Sequence, residues 1–195
     1  MRPVRFRRCL LVLLAWGLVA QPAPAPAADE AELFEALRTG RAALLLRHAL
    51  APGTGDPAEF RLDDCATQRN LSAAGREQAR AIGERLRAQG IAQAEVYSSQ
   101  WCRCLETARL LDLGSVTELP ALNSFFGDRA SADAQTAALR DFLSAGPRAA
   151  PVVLVTHQVN ITALTGQGAR SGEIVVVALP FEGEGSVLGR IPPLD

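Results

Sequence analysis

Residues 42–48 read AALLLRH and residues 151–157 read PVVLVTH. Each is an unbroken apolar run that stops on a histidine. An unbroken run, rather than an alternating one, is the pattern of a strand covered on both faces, as in a parallel sheet between helices. The flanking sequence supplies the helices. Asp29-x-x-Glu32 forms a capping box ahead of Leu33 and Leu37, and Gly40 stops that helix. Ser72 caps a second helix with Gly75, Ala79, Ile82 and Leu86 on one face, ended by Gly90. A strand over 94–99 (AEVYSS) leads into a helical stretch over 101–111 (WCRCLETARLL), with Ser99 placed as its N-cap. GSVTEL (114–119) reads as a short strand, Ser131 to Ala145 as a helix, ITALTG (161–166) as a short helix and EIVVVALP (173–180) as a further strand. An edge strand and tail are expected in 181–195. Strands alternating with helices predict an α/β sandwich with a mostly parallel sheet, in one domain. Residues 49–70, rich in Gly, Pro, Asp and Thr, read as a long loop of the kind that is usually functional or partly ordered.

Composition narrows the chemistry. The chain has 195 residues, 48% apolar and 21% charged, which suits one packed domain. All 20 basic residues are Arg. Without Lys there is no P-loop, no Schiff base and no Lys general base. Two His and four Cys leave little from which to build a metal site, and no metal or other cofactor is expected.

The first 27 residues read as a leader. Four Arg in MRPVRFRRC precede the apolar run LLVLLAWGLVA, and Ala25-Pro26-Ala27 supplies an A-x-A site, with cleavage expected after Ala27 or Ala28. The run is shorter than the roughly 20 residues of a membrane span, so no stable anchor is expected, an uncleaved anchor being the alternative. The expected organisation is a signal peptide over 1–27 and a single domain over 28–195, periplasmic or secreted. The leader carries four of the 20 Arg and no acid, so 16 Arg face 21 Asp and Glu, a net charge of −5. That balance gives no footprint for nucleic acid. Cys65, Cys102 and Cys104 remain, enough for one bond and one free thiol.

His48 and His157 each follow a buried strand, and ligands of open α/β sheets bind beyond the carboxyl ends of the strands. One such histidine reads as structural; two converging on one edge read as a site. Arg47 stands beside His48, and Arg103 lies in the first turn after Ser99, where a helix N-terminus adds positive potential. Two guanidinium forks, two imidazoles and a helix end suit a tetrahedral dianion.

These residues resemble the histidine phosphatase superfamily, which includes the cofactor-dependent phosphoglycerate mutases. Arg47-His48-Ala49 is similar to its Arg-His-Gly signature. The resemblance continues through Arg69-Asn70-Leu71-Ser72-x-x-Gly75-x-x-Gln78-Ala79 and Ser98-Ser99-x-x-x-Arg103-Cys104-x-Glu106-Thr107-Ala108, and ends at Val155-Thr156-His157. It implies a three-layer, phosphoglycerate mutase-like sandwich, with His48 as the nucleophile that becomes phosphohistidine and Arg47, Arg103 and His157 holding the phosphoryl oxygens. Neutral imidazole is a competent nucleophile, and phosphoryl transfer needs placed positive charge.

The sequence departs from the family pattern in places. Ala49 and Gln158 stand where Gly is usual. Many relatives supply a Glu as proton donor after the third strand, where this chain reads Ala121-Leu122-Asn123-Ser124-Phe125-Phe126-Gly127-Asp128. Asp128 is then the nearest acid, the alternatives being a solvated turn residue beside Gly127 or a proton from elsewhere. Trp101, Phe125 and Phe126 either line the pocket or simply pack. Cys102 and Cys104, two apart on a helix, point to different faces. Since the position of Cys104 is small and buried in relatives, the resemblance pairs Cys65 with Cys102.

The reading is a metal-independent, exported phosphomonoesterase resembling the bacterial group that includes the lipopolysaccharide-core heptose-phosphate phosphatase. Its expected partner is a phosphorylated small molecule or envelope component, with no claim on oligomeric state. The alternatives are a phosphate-binding pseudophosphatase and a phosphomutase.

Overall fold

The computed structural model describes residues 29–194. The leader, with its cleavage site after Ala27, lies outside the described residues. The chain runs α1 (Glu30–Arg38), β1 (Ala42–Arg47), α2 (Ala73–Ala88), β2 (Glu95–Ser98), α3 (Cys102–Leu110), β3 (Val116–Glu118), α4 (Ala132–Ser144), β4 (Val152–Thr156), α5 (Gln158–Thr165), β5 (Ile174–Ala178) and β6 (Val187–Ile191), with four short 3-10 turns between. The Asp29–Glu32 capping box forms, and Ser72 caps α2 by accepting from the Gly75 amide.

The sheet order is β3-β2-β4-β1-β5-β6. The first four strands are parallel, while β5 joins β1 and β6 joins β5 antiparallel. The mostly parallel sheet is therefore mixed at one side. An apolar run such as 173–180 shows burial on both faces but carries no direction, which the short return from α5 decides.

Alternation sorts the central strands into two cores. Ala42, Leu44 and Leu46 of β1 face α1, α2 and α3, packing with Phe34, Leu86 and Ala108. Ala43 and Leu45 face α4 and α5, packing with Leu139, Leu143 and Leu164. This gives the three expected layers. β1 and β4 pair in register, Arg47 opposite Thr156, and the His48 amide donates to the Thr156 carbonyl at 3.0 Å. The two histidines are thereby delivered side by side at the carboxyl edge.

The long loop is ordered by specific contacts. A Cβ on Gly75 would lie 2.0 Å from the Leu50 carbonyl oxygen, so only glycine lets α2 press on the chain just past His48. Gln68 spans the loop, its amide donating to the Arg61 and Leu62 carbonyls and its oxygen accepting from the Cys102 amide at 3.0 Å. Cys65 and Cys102 are disulfide-bonded with Cα atoms 5.7 Å apart, and Cys104 is a buried free thiol, as the resemblance implied. The bond closes a span of 37 residues. In the chain-entropy account such a closure contributes about 3–4 kcal/mol. Replacing both cysteines by Ser should therefore lower the chemical-denaturation free energy by about that amount. Unreduced peptide mapping of the parent should show Cys65–Cys102.

Candidate active site

A cleft of about 1150 Å³ opens beyond the carboxyl ends of β1, β2 and β4. Arg47, His48, Asp56, Arg69, Trp101, Arg103 and His157 line it, with the 123–129 segment forming one wall. The structure thus brings Arg47, His48, Arg103 and His157 together. The His48 and His157 rings are 5.5 Å apart, centre to centre, in an edge-on arrangement.

His48 is 2% exposed. Its Nδ1 lies 2.8 Å from the Ala49 carbonyl oxygen, which only accepts, so Nδ1 carries the proton. The Nε2 lone pair is left for the cleft. Burial, and then the charges of Arg103, Arg47 and Arg69, depress the His48 pKa from 6.5 to about 3. His157 is pushed well below its usual value by burial, by His48 and by Arg103. Its Nδ1 accepts from Arg103 Nη2 at 3.4 Å, which sets its Nε2–H to donate to Ser99 Oγ at 2.9 Å.

Ser99 is therefore not the N-cap of α3. Trp101 holds that position without a side-chain cap bond, and Gln68 takes the Cys102 amide. The Ser99 hydroxyl instead supports His157 and donates to Asn123 Oδ1 at 3.2 Å. The anion-binding helix end expected at α3 is thus partly filled by the protein itself. The short helix expected over ITALTG starts earlier: α5 begins at Gln158, with His157 as its N-cap. Its uncapped first turn borders the cleft through Gln158 and Val159.

The two arginines carry the most informative feature. Arg47 Nη1 donates to Gln158 Oε1 at 3.1 Å and to the Ala169 carbonyl at 2.8 Å. Arg103 Nη1 and Nη2 grip Asp56 at 2.7 and 3.1 Å. Yet the Nε–H of each is buried without a partner. An unpaired buried donor costs about 1–3 kcal/mol, more when charged, so these two guanidinium N–H groups are candidate contacts for an anion.

Two further residues belong to the cluster. Arg69 donates to the Gly55 carbonyl at 2.7 Å and to that of Ala51, and its charge reaches His48. It stood in the quoted motif without a role. Asp56 gave no sequence signal beyond being an acid in the long loop. Asn123 is a structural residue: its oxygen accepts from Ser99 and the Gln100 amide, and its amide donates to Gln100 Oε1. Asp128 lies on the cleft wall, exposed, and does not cap the turn that follows it. Trp101 and Phe126 both line the cleft, Phe126 with 47% of its surface exposed. Phe125 also borders it but is almost fully buried.

The family model described as histidine phosphatase superfamily (branch 1) matches residues 43–129. That span carries Arg47, His48, Arg69 and Arg103, and is what the chain shares with the superfamily. Solved structures of the superfamily fold agree over most of their length. SixA from Agrobacterium tumefaciens superposes with a TM-score of 0.52 at 18% identity, over 79% of this chain and 99% of that one. The protein histidine phosphatase SixA in complex with tungstate gives 0.53 at 20% identity, over 78% and 97%. A mycobacterial glucosyl-3-phosphoglycerate phosphatase with VO3 gives 0.52 at 18%, over 71% and 92%. No curated protein matches the chain. These comparisons show the shared fold, and none of them places the chain in the exported heptose-phosphate phosphatase group.

The buried neutral histidine has a consequence for stability. Between about pH 6.5 and 3 the unfolded chain binds a proton at His48 that the folded chain does not, so falling pH favours unfolding. The melting temperature should drop from pH 7 to pH 5, and the drop should shrink in His48→Asn. An equal drop in both proteins would show that His48 is not buried neutral.

Proposed function

We propose that the chain is an exported phosphomonoesterase that hydrolyses phosphate esters through a phosphohistidine on His48. The observation that carries this reading is the pair of buried, unpartnered Nε–H groups of Arg47 and Arg103 beside an imidazole whose Nε2 lone pair is free. A phosphoryl group seated there satisfies both donors and meets the nucleophile.

His48 Nε2 attacks phosphorus, the ester P–O bond breaks, and the alcohol leaves with a proton. Water then attacks the phosphohistidine, the N–P bond breaks, and inorganic phosphate is released. Arg47 and Arg103 hold the oxygens that gain charge, in a site buried enough to strengthen each contact. His157 accepts from Arg103 Nη2 through Nδ1 and so steadies the guanidinium that meets the phosphoryl group. Two carboxylates line the cleft. That of Asp56 is tied to Arg103, which leaves Asp128 as the proton donor to the leaving oxygen.

Export is supported by the leader sequence and by the Cys65–Cys102 bond, which persists in oxidising compartments. The cleft exceeds the roughly 300–1,000 Å³ typical of small-ligand sites. Phe60, Trp101 and Phe126 add flat apolar wall. Both features favour a bulky ester, such as an envelope or lipopolysaccharide sugar phosphate.

His48→Ala should abolish turnover of aryl and sugar phosphates, with the parent's activity indifferent to chelators and to any bisphosphate primer. Rapid quench of the parent should trap an acid-labile, alkali-stable phosphoenzyme. An acid-stable adduct, or turnover by His48→Ala, contradicts the reading. Asp128→Asn should slow alkyl esters by about 10²–10⁴-fold while sparing activated aryl esters, because general acid catalysis matters most for poor leaving groups. Equal effects on both would remove Asp128 from that role.

A further inference from the structure

Asp56 places a negative charge among three guanidinium groups that are otherwise arranged to attract an anion. Its carboxylate is only 10% exposed and accepts four hydrogen bonds. Oδ1 takes Arg103 Nη1 at 2.7 Å and the Arg69 amide at 3.1 Å. Oδ2 takes Arg103 Nη2 at 3.1 Å and Trp101 Nε1 at 3.0 Å. Burial by itself would raise its pKa, but the hydrogen bonds and charge of Arg103 outweigh burial and keep it below the usual carboxylate range. An ionised carboxylate with every lone-pair direction occupied is not poised to donate a proton.

A guanidinium has two forks, an end-on pair (Nη1, Nη2) and a side-on pair (Nε with one Nη). Asp56 fills the end-on fork of Arg103. Arg103 Nη1 is further held by the Arg69 carbonyl at 3.3 Å and Nη2 by His157 Nδ1 at 3.4 Å, so Nε is the one donor nitrogen buried without a partner. We infer that Asp56 is a positioning residue: it clamps the end-on fork of Arg103 so that Nε–H is the donor offered to the phosphoryl group. This assignment rests on the phosphatase reading of the site. It also gives the carboxylate a use that offsets its repulsion of the substrate, since a free arginine offers a phosphate either fork and several rotamers. A fixed one pre-arranges the transition-state geometry.

The inference is tested on the parent protein by following the Arg103 side-chain N–H signals in nitrogen-proton NMR, assigned with Arg103→Lys, during titration with inorganic phosphate. The expected result is that Arg103 Nε–H moves to low field while the Nη protons held by Asp56 persist. Loss of those Nη signals as phosphate binds would show that phosphate displaces Asp56, and would overturn the inference. A parent protein whose site signals ignore phosphate altogether would instead fail the phosphatase reading, so the two failures are distinguishable. In turnover, Asp56→Asn should lower kcat by about 10²-fold for aryl and alkyl esters alike, the scale of a small misplacement of a catalytic group. In an Arg103→Ala background the same change should matter by less than about twofold, because both act through one contact. A loss confined to alkyl esters would make Asp56 a proton donor, and a loss undiminished without Arg103 would make it independent of Arg103. Either would overturn the assignment.

Discussion

The parallel pairing of β1 with β4 is the constraint on which the site depends. Its register sets Arg47 beside Thr156 and lets the His48 amide bond the Thr156 carbonyl. A shift of one residue would turn every side chain of one strand to the opposite core, setting Leu45 against the helices that now pack on Leu44 and Leu46. The two apolar cores therefore hold the register. With the register held, the two histidines, which follow adjacent buried strands of the sheet, must emerge together at one edge.

Charge at that edge is balanced by a division of labour among hydrogen bonds. Three arginines lie close enough that each depresses His48, and burial depresses it further. The protein offsets this crowding with carbonyls and one carboxylate: Ala169 and Gln158 for Arg47, Gly55 and Ala51 for Arg69, Asp56 for Arg103. The donors left over, Nε of Arg47 and of Arg103, are those that face no protein acceptor. Disulfide, Gln68 and Asp56 together bind the 49–70 loop to the start of α3, so the loop that carries Arg69 is held to the helix that carries Arg103.

Much of this was legible in the sequence because it depends on local rules. Unbroken apolar runs gave β1 and β4, Asp29 and Ser72 gave two helix starts, and histidines past strand ends gave the edge. What was hidden depends on contacts far apart in the chain. Ser99 has the composition of an N-cap, yet His157, 58 residues away, takes its hydroxyl. Asp56 meets Arg103 across 47 residues, through a loop whose path no periodicity encodes. The direction of β5 was hidden for a related reason: burial sets the apolar pattern, and connection length sets the direction. Asn123 lies in the stretch where many relatives supply a Glu. Its side chain instead fixes the Ser99–Gln100 turn that supports His157.

The central claim is that the unpaired arginine donors and the free His48 nitrogen surround one phosphoryl group. A crystal structure with vanadate tests this most directly. The account predicts vanadium bonded to His48 Nε2, its oxygens accepting from Nε of both Arg47 and Arg103, and Asp56 still on Arg103. Vanadate bound elsewhere in the cleft, or bound with both Nε–H groups still unpartnered, would contradict it.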